Sequence, residues 1–407
     1  MSYYRLVGAA AAVVMLMATT VTDADVITQW NETAIATATA GGQNPLVASR
    51  TVTMVQTAMF DAVNSIENRY APYVTRIAAP PGASAEAAAA AAAYAVLAAL
   101  LPNQEPELEA AYSASLGRIP GNGKEAGVTV GQRAAAEILA RRASDGANAS
   151  KPYRPLTSPG VYVPTVIPVG TNWADVAPWA MANGSQFRPA APPSLTSEQW
   201  ARDYNEVKSL GGKHSSARTK EQTDIARFWV VVGPASWNPI VRQIADTPGR
   251  KLIDNARLMA LVAIATSDAY IAVFDAKYAY NFWRPITAIR NGDIDGNDAT
   301  TRDADWEPLI DTPPHPEYPC AHCITSSAVA TILNAEVGPD AIAKATMTSV
   351  SASGVTRRWN NTKEYVDEVS AARIYGGVHY RTSAIVGQEM GRKIAELALR
   401  ERMRPLR

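Results

Sequence analysis

The stretch from Pro313 to Ser326, PPHPEYPCAHCITS, concentrates the residue types that could do chemistry in this chain. It holds two of the four histidines and both cysteines of the 407-residue sequence. A helix-like run, Ile324 to Glu336, follows at once, so His322 is expected in the first turn of a helix. Free backbone N–H groups and the helix dipole favour an anion there. A histidine in that turn can hydrogen-bond an oxyanion and move its protons. The stretch therefore predicts an oxyanion site.

Two further stretches supply cations and a second histidine. Lys277 and Arg284 lie in KYAYNFWRP, and their separation of seven residues predicts that two helical turns place both on one face. Downstream, RIYGGVH places Arg373 at the end of one helix, which the glycine pair breaks. His379 then opens a second helix that runs to about Arg400. Three fixed cations and two histidines beside two helix N-termini suit a tetrahedral or trigonal-bipyramidal oxyanion.

The order Lys-x6-Arg-Pro, Pro-x-x-His, Arg-x5-His resembles the vanadium-dependent haloperoxidases and their relatives, the type 2 phosphatidic-acid phosphatases. The resemblance continues upstream of these motifs. Trp30-Asn31, Ala48 to Arg50, and Ala58 to Asn64 are similar to the N-terminal helices of bacterial haloperoxidase-like proteins. Most of the chain is therefore covered by the resemblance.

The resemblance implies a role for each residue of the three motifs. His379 would ligate vanadium in a haloperoxidase or attack phosphorus in a phosphatase, and His322 would be the acid–base histidine. Oxyanion binding would fall to Lys277, Arg284, Arg373, Cys320 and Ala321.

The chain departs from the usual pattern in its oxyanion loop. Cys320-Ala321 stands where these families usually have Ser-Gly, so a good hydroxyl donor becomes a weak thiol donor, or no donor if Cys320 is bonded to Cys323. The sequence leaves that bond open. Ser383 stands where the family often has an acid, four residues after the ligand histidine.

Two other positions bear on the halide and the substrate. Phe274 matches an aromatic position lining the family's site. His315 matches a histidine of bromoperoxidases that chloroperoxidases replace by an aromatic residue, so the resemblance favours bromide.

Composition limits the class of protein. Lys+Arg and Asp+Glu both number 38, so no net charge attracts nucleic acid. Residues 1–24 read as a signal peptide, which predicts a secreted or periplasmic protein. No later run reaches about eighteen uninterrupted apolar residues, so no integral membrane segment is expected.

Helical periodicity predicts an all-α protein, a large helical bundle of the vanadium haloperoxidase type. We expect one domain over 25–407, with a helical part at 25–143, a long irregular loop at 144–193 and a catalytic helical part at 194–407. The helix carrying Lys277 is predicted over Leu252 to Tyr280. Another is predicted over Glu221 to Val232.

Three functions remain open on the sequence. The first is a vanadate-dependent haloperoxidase that uses hydrogen peroxide to oxidise halide to hypohalous acid. Its further partners would be a small organic acceptor and phosphate, which would compete with vanadate. The protein would be a monomer or a homo-oligomer. The second is an acid phosphatase with His379 as nucleophile. The third is a secreted oxyanion-binding protein without catalysis.

Overall fold

The structure, a computed structural model, describes residues 24–406, so all but the last residue of the expected signal peptide lies outside the described residues. The chain folds into thirteen α-helices and one two-stranded hairpin within that range. The first five helices are α1 (Val26–Ala40), α2 (Pro45–Glu67), α3 (Ala85–Leu100), α4 (Glu105–Arg118) and α5 (Lys124–Arg142). The next five are α6 (Glu198–Gly211), α7 (Lys220–Phe228), α8 (Asn238–Ala245), α9 (Leu252–Tyr280) and α10 (Pro285–Arg290). The last three are α11 (Ala321–Glu336), α12 (Thr362–Tyr375) and α13 (Arg381–Glu401). The all-α prediction is confirmed.

Helix α9 is the axis of the molecule. It packs against α2 on the N-terminal side and against α11 and α13 on the C-terminal side. Its residues from Ile253 to Lys277 are buried almost without interruption, which explains why its sequence is apolar on every face. Among the described residues this is the one single helix long and apolar enough to cross a bilayer, and its apolar stretch is wholly covered by protein.

The N-terminal helices pack at unusually short range. A Cβ added at Gly127 would lie 2.2 Å from the carbonyl oxygen of Ser84, and one at Gly131 would lie 2.2 Å from that of Ala88. Only glycine therefore lets α5 rest directly on the backbone of alanine-rich α3. The alanines supply the complementary flat surface, and the pair closes one side of the core.

The long loop at 144–193 is irregular, as predicted, and polar anchors hold it on α9. The buried Asp268 carboxylate accepts hydrogen bonds from the backbone N–H groups of Trp179 (2.7 Å), Ala180 (2.7 Å) and Met181 (2.9 Å). The Arg142 guanidinium lies 4.0 Å from the centre of the Trp179 ring and donates to the Ala177 carbonyl. Helix α9 thus anchors the loop through Asp268 and, nine residues later, contributes Lys277.

Two local predictions are wrong, and one element was not predicted. Arg284 does not share a helix with Lys277, because α9 ends at Tyr280 where Asn281 takes the left-handed conformation (φ 49°). The predicted helix to Val232 ends at Phe228, and the chain continues in non-helical form. The sequence also gave no sign of the hairpin formed by β1 (Met347–Ser349) and β2 (Ala352–Arg357).

Candidate active site

Lys277 is fully buried at the C-terminal end of α9, and its ammonium group is enclosed by backbone. Its Nζ donates to the carbonyl oxygens of Pro316 (2.9 Å), Glu317 (2.7 Å) and Pro319 (2.5 Å). The proline-rich stretch suits this contact because prolines have no N–H and their carbonyls are seldom used in regular structure. Lys277 therefore fixes the shape of the loop that leads into α11.

Arg284 reaches the same place from the N-terminus of α10. Its Nε donates to the His315 carbonyl (2.9 Å) and its Nη1 donates to the Val378 carbonyl (2.8 Å). Nη1 also lies 3.2 Å from His379 Nε2, and Nη2 lies 2.9 Å from His315 Nδ1. One buried guanidinium thus links the histidines of two separate motifs.

Two backbone carbonyls in the segment after α7 contact Arg373 and His322. Arg373 Nη1 donates to the Trp229 carbonyl (2.8 Å), and His322 Nε2 lies 3.1 Å from the Val231 carbonyl. Both carbonyls are free for these contacts because α7 ends at Phe228 instead of continuing to Val232. Arg373 Nε is buried and has no partner within residues 24–406.

Glu317 orients His379. Its Oε1 lies 2.7 Å from His379 Nδ1 and accepts the Tyr380 backbone N–H at 3.1 Å, while its Oε2 is buried with no partner among the described residues. Ser383, the residue in place of the expected acid, lies farther away, with its Oγ 3.5 Å from the same Nδ1. The carboxylate partner of His379 therefore comes from the proline-rich stretch and not from α13.

These contacts select one tautomer for His379 and one for His322. A guanidinium has only donors, so His379 Nε2 accepts from Arg284 and its proton sits on Nδ1, facing Glu317. His315 Nδ1 lies 2.9 Å from Arg284 Nη2 and 3.1 Å from the Pro316 carbonyl, so it can accept from the guanidinium or donate to the carbonyl. His322 donates from Nε2 to a carbonyl, which leaves Nδ1 with a lone pair when the ring is neutral.

The N-terminus of α11 presents backbone donors to the site. The N–H groups of Ala321 and His322 make no hydrogen bond to other described residues. Cys320 is the N-cap, and its sulfur accepts the Cys323 N–H at 3.2 Å. The two cysteines are joined in a disulfide. Cys320 therefore has no S–H to donate, which is the second of the two alternatives that the sequence left open at this position.

The cluster carries more positive than negative charge. Lys277, Arg284 and Arg373 are each no more than 2% exposed, and Glu317 is the one acid hydrogen-bonded within this group among the described residues. Burial, and then the charge of Arg284, lowers the pKa of Lys277 well below its ordinary value. Burial lowers the pKa of Arg284 to about 10 and, together with Arg284, that of Arg373 to about 9. Buried, incompletely compensated cations create a demand for an anion.

The remaining ionisable groups respond to the same burial. Burial raises the pKa of Glu317 to about 7, against the opposing pull of Lys277 and Arg284. The pKa values of His315, His322 and His379 are held well below the usual range, first by burial and then by the neighbouring cations. All three imidazoles are therefore neutral at neutral pH before an anion arrives.

A cavity of about 230 Å³ leads to this cluster. His315, His322, His379 and Ala321 line its inner end. Phe274 packs on His315 with ring centres 5.1 Å apart, so both residues predicted for a halide or substrate pocket lie in its wall. A buried aromatic cluster that includes Trp200, Phe282, Tyr318 and Tyr380 packs beside Glu317. Glu317 is fully buried there.

The structure thus brings together every site residue that the sequence singled out. It adds Glu317, Trp229 and Val231, which no motif spacing revealed. The one signal for Glu317 in the sequence is its place between His315 and His322 in the proline-rich stretch.

Comparison with known proteins agrees with this geometry. Residues 257–407 match the family described as the VCPO second helical-bundle domain. The vanadium chloroperoxidase of Curvularia inaequalis is 27% identical over 279 residues, and the match covers 51% of this chain but only 45% of that protein.

Solved structures share the fold over nearly the whole chain. A bacterial vanadium-dependent iodoperoxidase superposes with a TM-score of 0.78 at 23% identity, covering 94% of this chain and 96% of its own. The apo form of a bacterial vanadium-dependent chloroperoxidase gives 0.72 at 18% identity, covering 87% and 93%. The C-terminal part of the chain is thus similar to the second helical-bundle domain of that family, and the chain shares the fold of solved vanadium-dependent haloperoxidases.

Proposed function

We propose that this protein is a vanadate-dependent haloperoxidase that uses hydrogen peroxide to oxidise a halide, with bromide preferred, to hypohalous acid. The observation that carries the proposal is the excess of buried positive charge around a histidine whose Nε2 lone pair faces the cations. Arg373 Nε and the N–H groups of Ala321 and His322 have no partners among the described residues and can bind oxyanion oxygens. This donor set fits vanadate.

His379 would hold the vanadium through Nε2. Its Nδ1–H···Glu317 contact at 2.7 Å keeps that lone pair available, as outer partners of metal-bound histidines commonly do. Bound vanadate would supply the Lewis acid that makes a peroxide oxygen electrophilic. Lys277, Arg284 and Arg373 would compensate its negative charge, which in turn would raise the depressed pKa of Lys277.

His322 would move the proton. Its Nδ1 lone pair can take a proton from incoming peroxide, while the Nε2–H bond to the Val231 carbonyl stabilises the imidazolium that results. The same Nδ1–H can then protonate the oxygen that leaves. The depressed pKa of this histidine makes it a base first and an acid second.

His315 would orient the halide. When its Nδ1 accepts from Arg284, its Nε2–H is a donor without a protein partner in the described range, on a ring that lines the cavity. A neutral N–H donor can hold bromide without becoming charged. His315→Ala should therefore lower bromide turnover more than it lowers vanadate affinity.

A paired assay tests the proposal. Purified protein receives vanadate, bromide and peroxide in one vessel and an aryl phosphate in the other. The haloperoxidase function requires bromide-dependent peroxide consumption that appears with vanadate and falls when phosphate competes. Robust aryl-phosphate hydrolysis inhibited by vanadate, with no halide oxidation between about pH 4 and 8, would establish the phosphatase instead. Anion binding without either reaction would leave a non-catalytic binding protein.

A further inference from the structure

The C-terminal end of α7 is held by the hairpin of β1 and β2, which lies far away in the sequence. In a continuing helix the carbonyls of Arg227 and Phe228 would accept hydrogen bonds from the N–H groups four residues further on. Here Ser349 Oγ donates to the Phe228 carbonyl at 2.7 Å, and Ser351 Oγ donates to the Arg227 carbonyl at 2.8 Å. Two serine hydroxyls of the hairpin therefore take the carbonyls that another helical turn would need.

The local sequence leaves the end of α7 undecided. Every residue between Phe228 and Pro234 has a backbone N–H, so the sequence itself allows a further turn before the proline ends it. Phe228 is fully buried, and Ser349 is only 6% exposed. A buried carbonyl without a donor is costly, so the hydroxyl of Ser349 makes an end at Phe228 favourable. The hairpin contact thus decides where α7 ends.

The other end of the hairpin holds the side chain of Trp229. Arg357, the last residue of β2, forms a bidentate ion pair with Glu368 of α12, with Nε and Nη2 each 2.7 Å from a carboxylate oxygen. Both side chains are mostly buried. Glu368 Oε1 also accepts the indole N–H of Trp229 at 2.9 Å. The hairpin therefore fixes the backbone just before Trp229 and, through Glu368, its ring.

The residues directly after this capped end contact the cation and histidine cluster. The Trp229 carbonyl accepts from Arg373 Nη1 at 2.8 Å, and the Val231 carbonyl lies 3.1 Å from His322 Nε2. Each of the two side chains uses one nitrogen on this segment and keeps another, Arg373 Nε or His322 Nδ1, for the site. A shift of the segment would therefore turn both side chains at once.

We infer that Ser349 is a positioning residue, because by capping α7 it fixes the two carbonyls that orient Arg373 and His322. Ser351 assists it through the neighbouring carbonyl. Ser349 is not among the described residues that line the cavity, so it acts on the site through the backbone. The inference rests on the proposed function for its effect on turnover, whereas its effect on anion binding requires only the cation cluster.

Calorimetry with inorganic phosphate on the vanadate-free protein measures the effect on the anion site. Ser349→Ala should weaken phosphate binding by about three- to tenfold, the equivalent of one hydrogen bond, because a displaced Trp229 carbonyl no longer directs Arg373. Ser351→Ala changes an exposed residue and should act in the same direction to a smaller extent. The matched control is Ser353→Ala, the same change at an exposed position of β2, which should bind phosphate as wild type does.

Nitrogen NMR of the imidazoles separates positioning from a general loss of stability. In wild type the His322 proton is expected on Nε2, facing the Val231 carbonyl. Ser349→Ala should give a mixture of His322 tautomers, because that carbonyl is no longer fixed. His379 should keep its proton on Nδ1 in both proteins, since its contact with Glu317 is untouched. The His379 signal is thus an internal control in the same spectrum.

Bromide oxidation by the vanadate-loaded enzyme is the last measurement, and Ser349→Ala should lower it even when vanadate is saturating. Wild-type phosphate affinity together with a wild-type His322 tautomer in Ser349→Ala would overturn the inference. Equal losses in Ser349→Ala and Ser353→Ala would overturn it as well, because they would show a general effect of the hairpin. If wild type oxidises no bromide while the phosphate and tautomer results hold, the proposed function fails and the positioning role of Ser349 stands.

Discussion

Replacing Glu317 separates the charge of this carboxylate from its geometry. Gln keeps an oxygen where Oε1 accepts both the His379 Nδ1–H and the Tyr380 N–H, but removes the charge. Ala removes both acceptors, leaving two donors unpartnered in groups that are at most 2% exposed. At pH 8 the carboxyl is ionised, since its pKa is about 7.

The expected magnitudes follow from those contacts. Glu317→Ala leaves the His379 Nδ1–H and the Tyr380 N–H without an acceptor and should lower the free energy of unfolding by about 1–3 kcal/mol for each. Glu317→Gln exchanges a charged acceptor for a neutral one and should cost about 1–2 kcal/mol. A carboxylate and an oxyanion on opposite sides of an imidazole, about 8 Å apart, repel by on the order of 2 kcal/mol at an effective dielectric constant of about 20. Phosphate should therefore bind Glu317→Gln more tightly than wild type, whereas a merely damaged site would bind it less tightly.

Three measurements check this reasoning. Urea unfolding gives the stabilities, calorimetry gives the phosphate affinities, and nitrogen NMR of the imidazoles reports the His379 tautomer. We expect Nδ1–H in wild type and in Glu317→Gln, and a mixture in Glu317→Ala. If Glu317→Ala kept the wild-type His379 tautomer and the wild-type stability, Glu317 would not orient His379. The same conclusion would follow if Glu317→Gln and Glu317→Ala weakened phosphate binding equally.

Other perturbations have equally definite outcomes. His379→Ala should abolish vanadate or phosphate binding measured by calorimetry, whereas His322→Ala should retain binding and lose turnover; equal loss of binding would contradict separate ligand and proton-transfer roles. In Asp268→Asn the amide NH2 would face at least one of the three backbone N–H groups that the carboxylate accepts, so that hydrogen bond is lost. Urea unfolding should show a loss of about 1–3 kcal/mol per lost bond, and proteolysis in the 144–193 loop should be faster. Burial raises the pKa of Asp61 from 3.8 to about 6, so the folded state holds this proton more tightly than the unfolded state. Wild-type stability should therefore rise relative to Asp61→Asn as the pH falls from about 7 to about 4, by up to about 3 kcal/mol, and a pH-independent difference would show that Asp61 does not titrate as expected.

The sequence could predict what local patterns determine. Leu252–Tyr280 matches its predicted bounds because apolar periodicity and the left-handed end at Asn281 are local features. The convergence of Lys277, Arg284 and His379 was predictable from motif order, although the predicted shared helix for the two cations was wrong.

What could not be predicted depends on contacts between distant segments. Glu317 meets His379 across 62 residues, and Arg373 meets the Trp229 carbonyl across 144. No periodicity encodes such pairs. The early end of α7 leaves the Trp229 and Val231 carbonyls free for Arg373 and His322, which lie far away in the sequence. These contacts are also absent from the local sequence pattern.

The disulfide between Cys320 and Cys323 bears on the chemical stability of the site under the proposed function, whose product would be hypohalous acid. Hypohalous acid oxidises thiols readily and can carry them to sulfinate, a permanent anion. A sulfinate at the N-cap of α11 would occupy, from within the chain, the place where backbone N–H groups await a bound anion. The sulfur already joined to its neighbour has no thiolate to lose. Under the proposed function the disulfide would therefore keep the N-terminus of α11 free of such a sulfinate, and storage with a strong reductant would remove that protection.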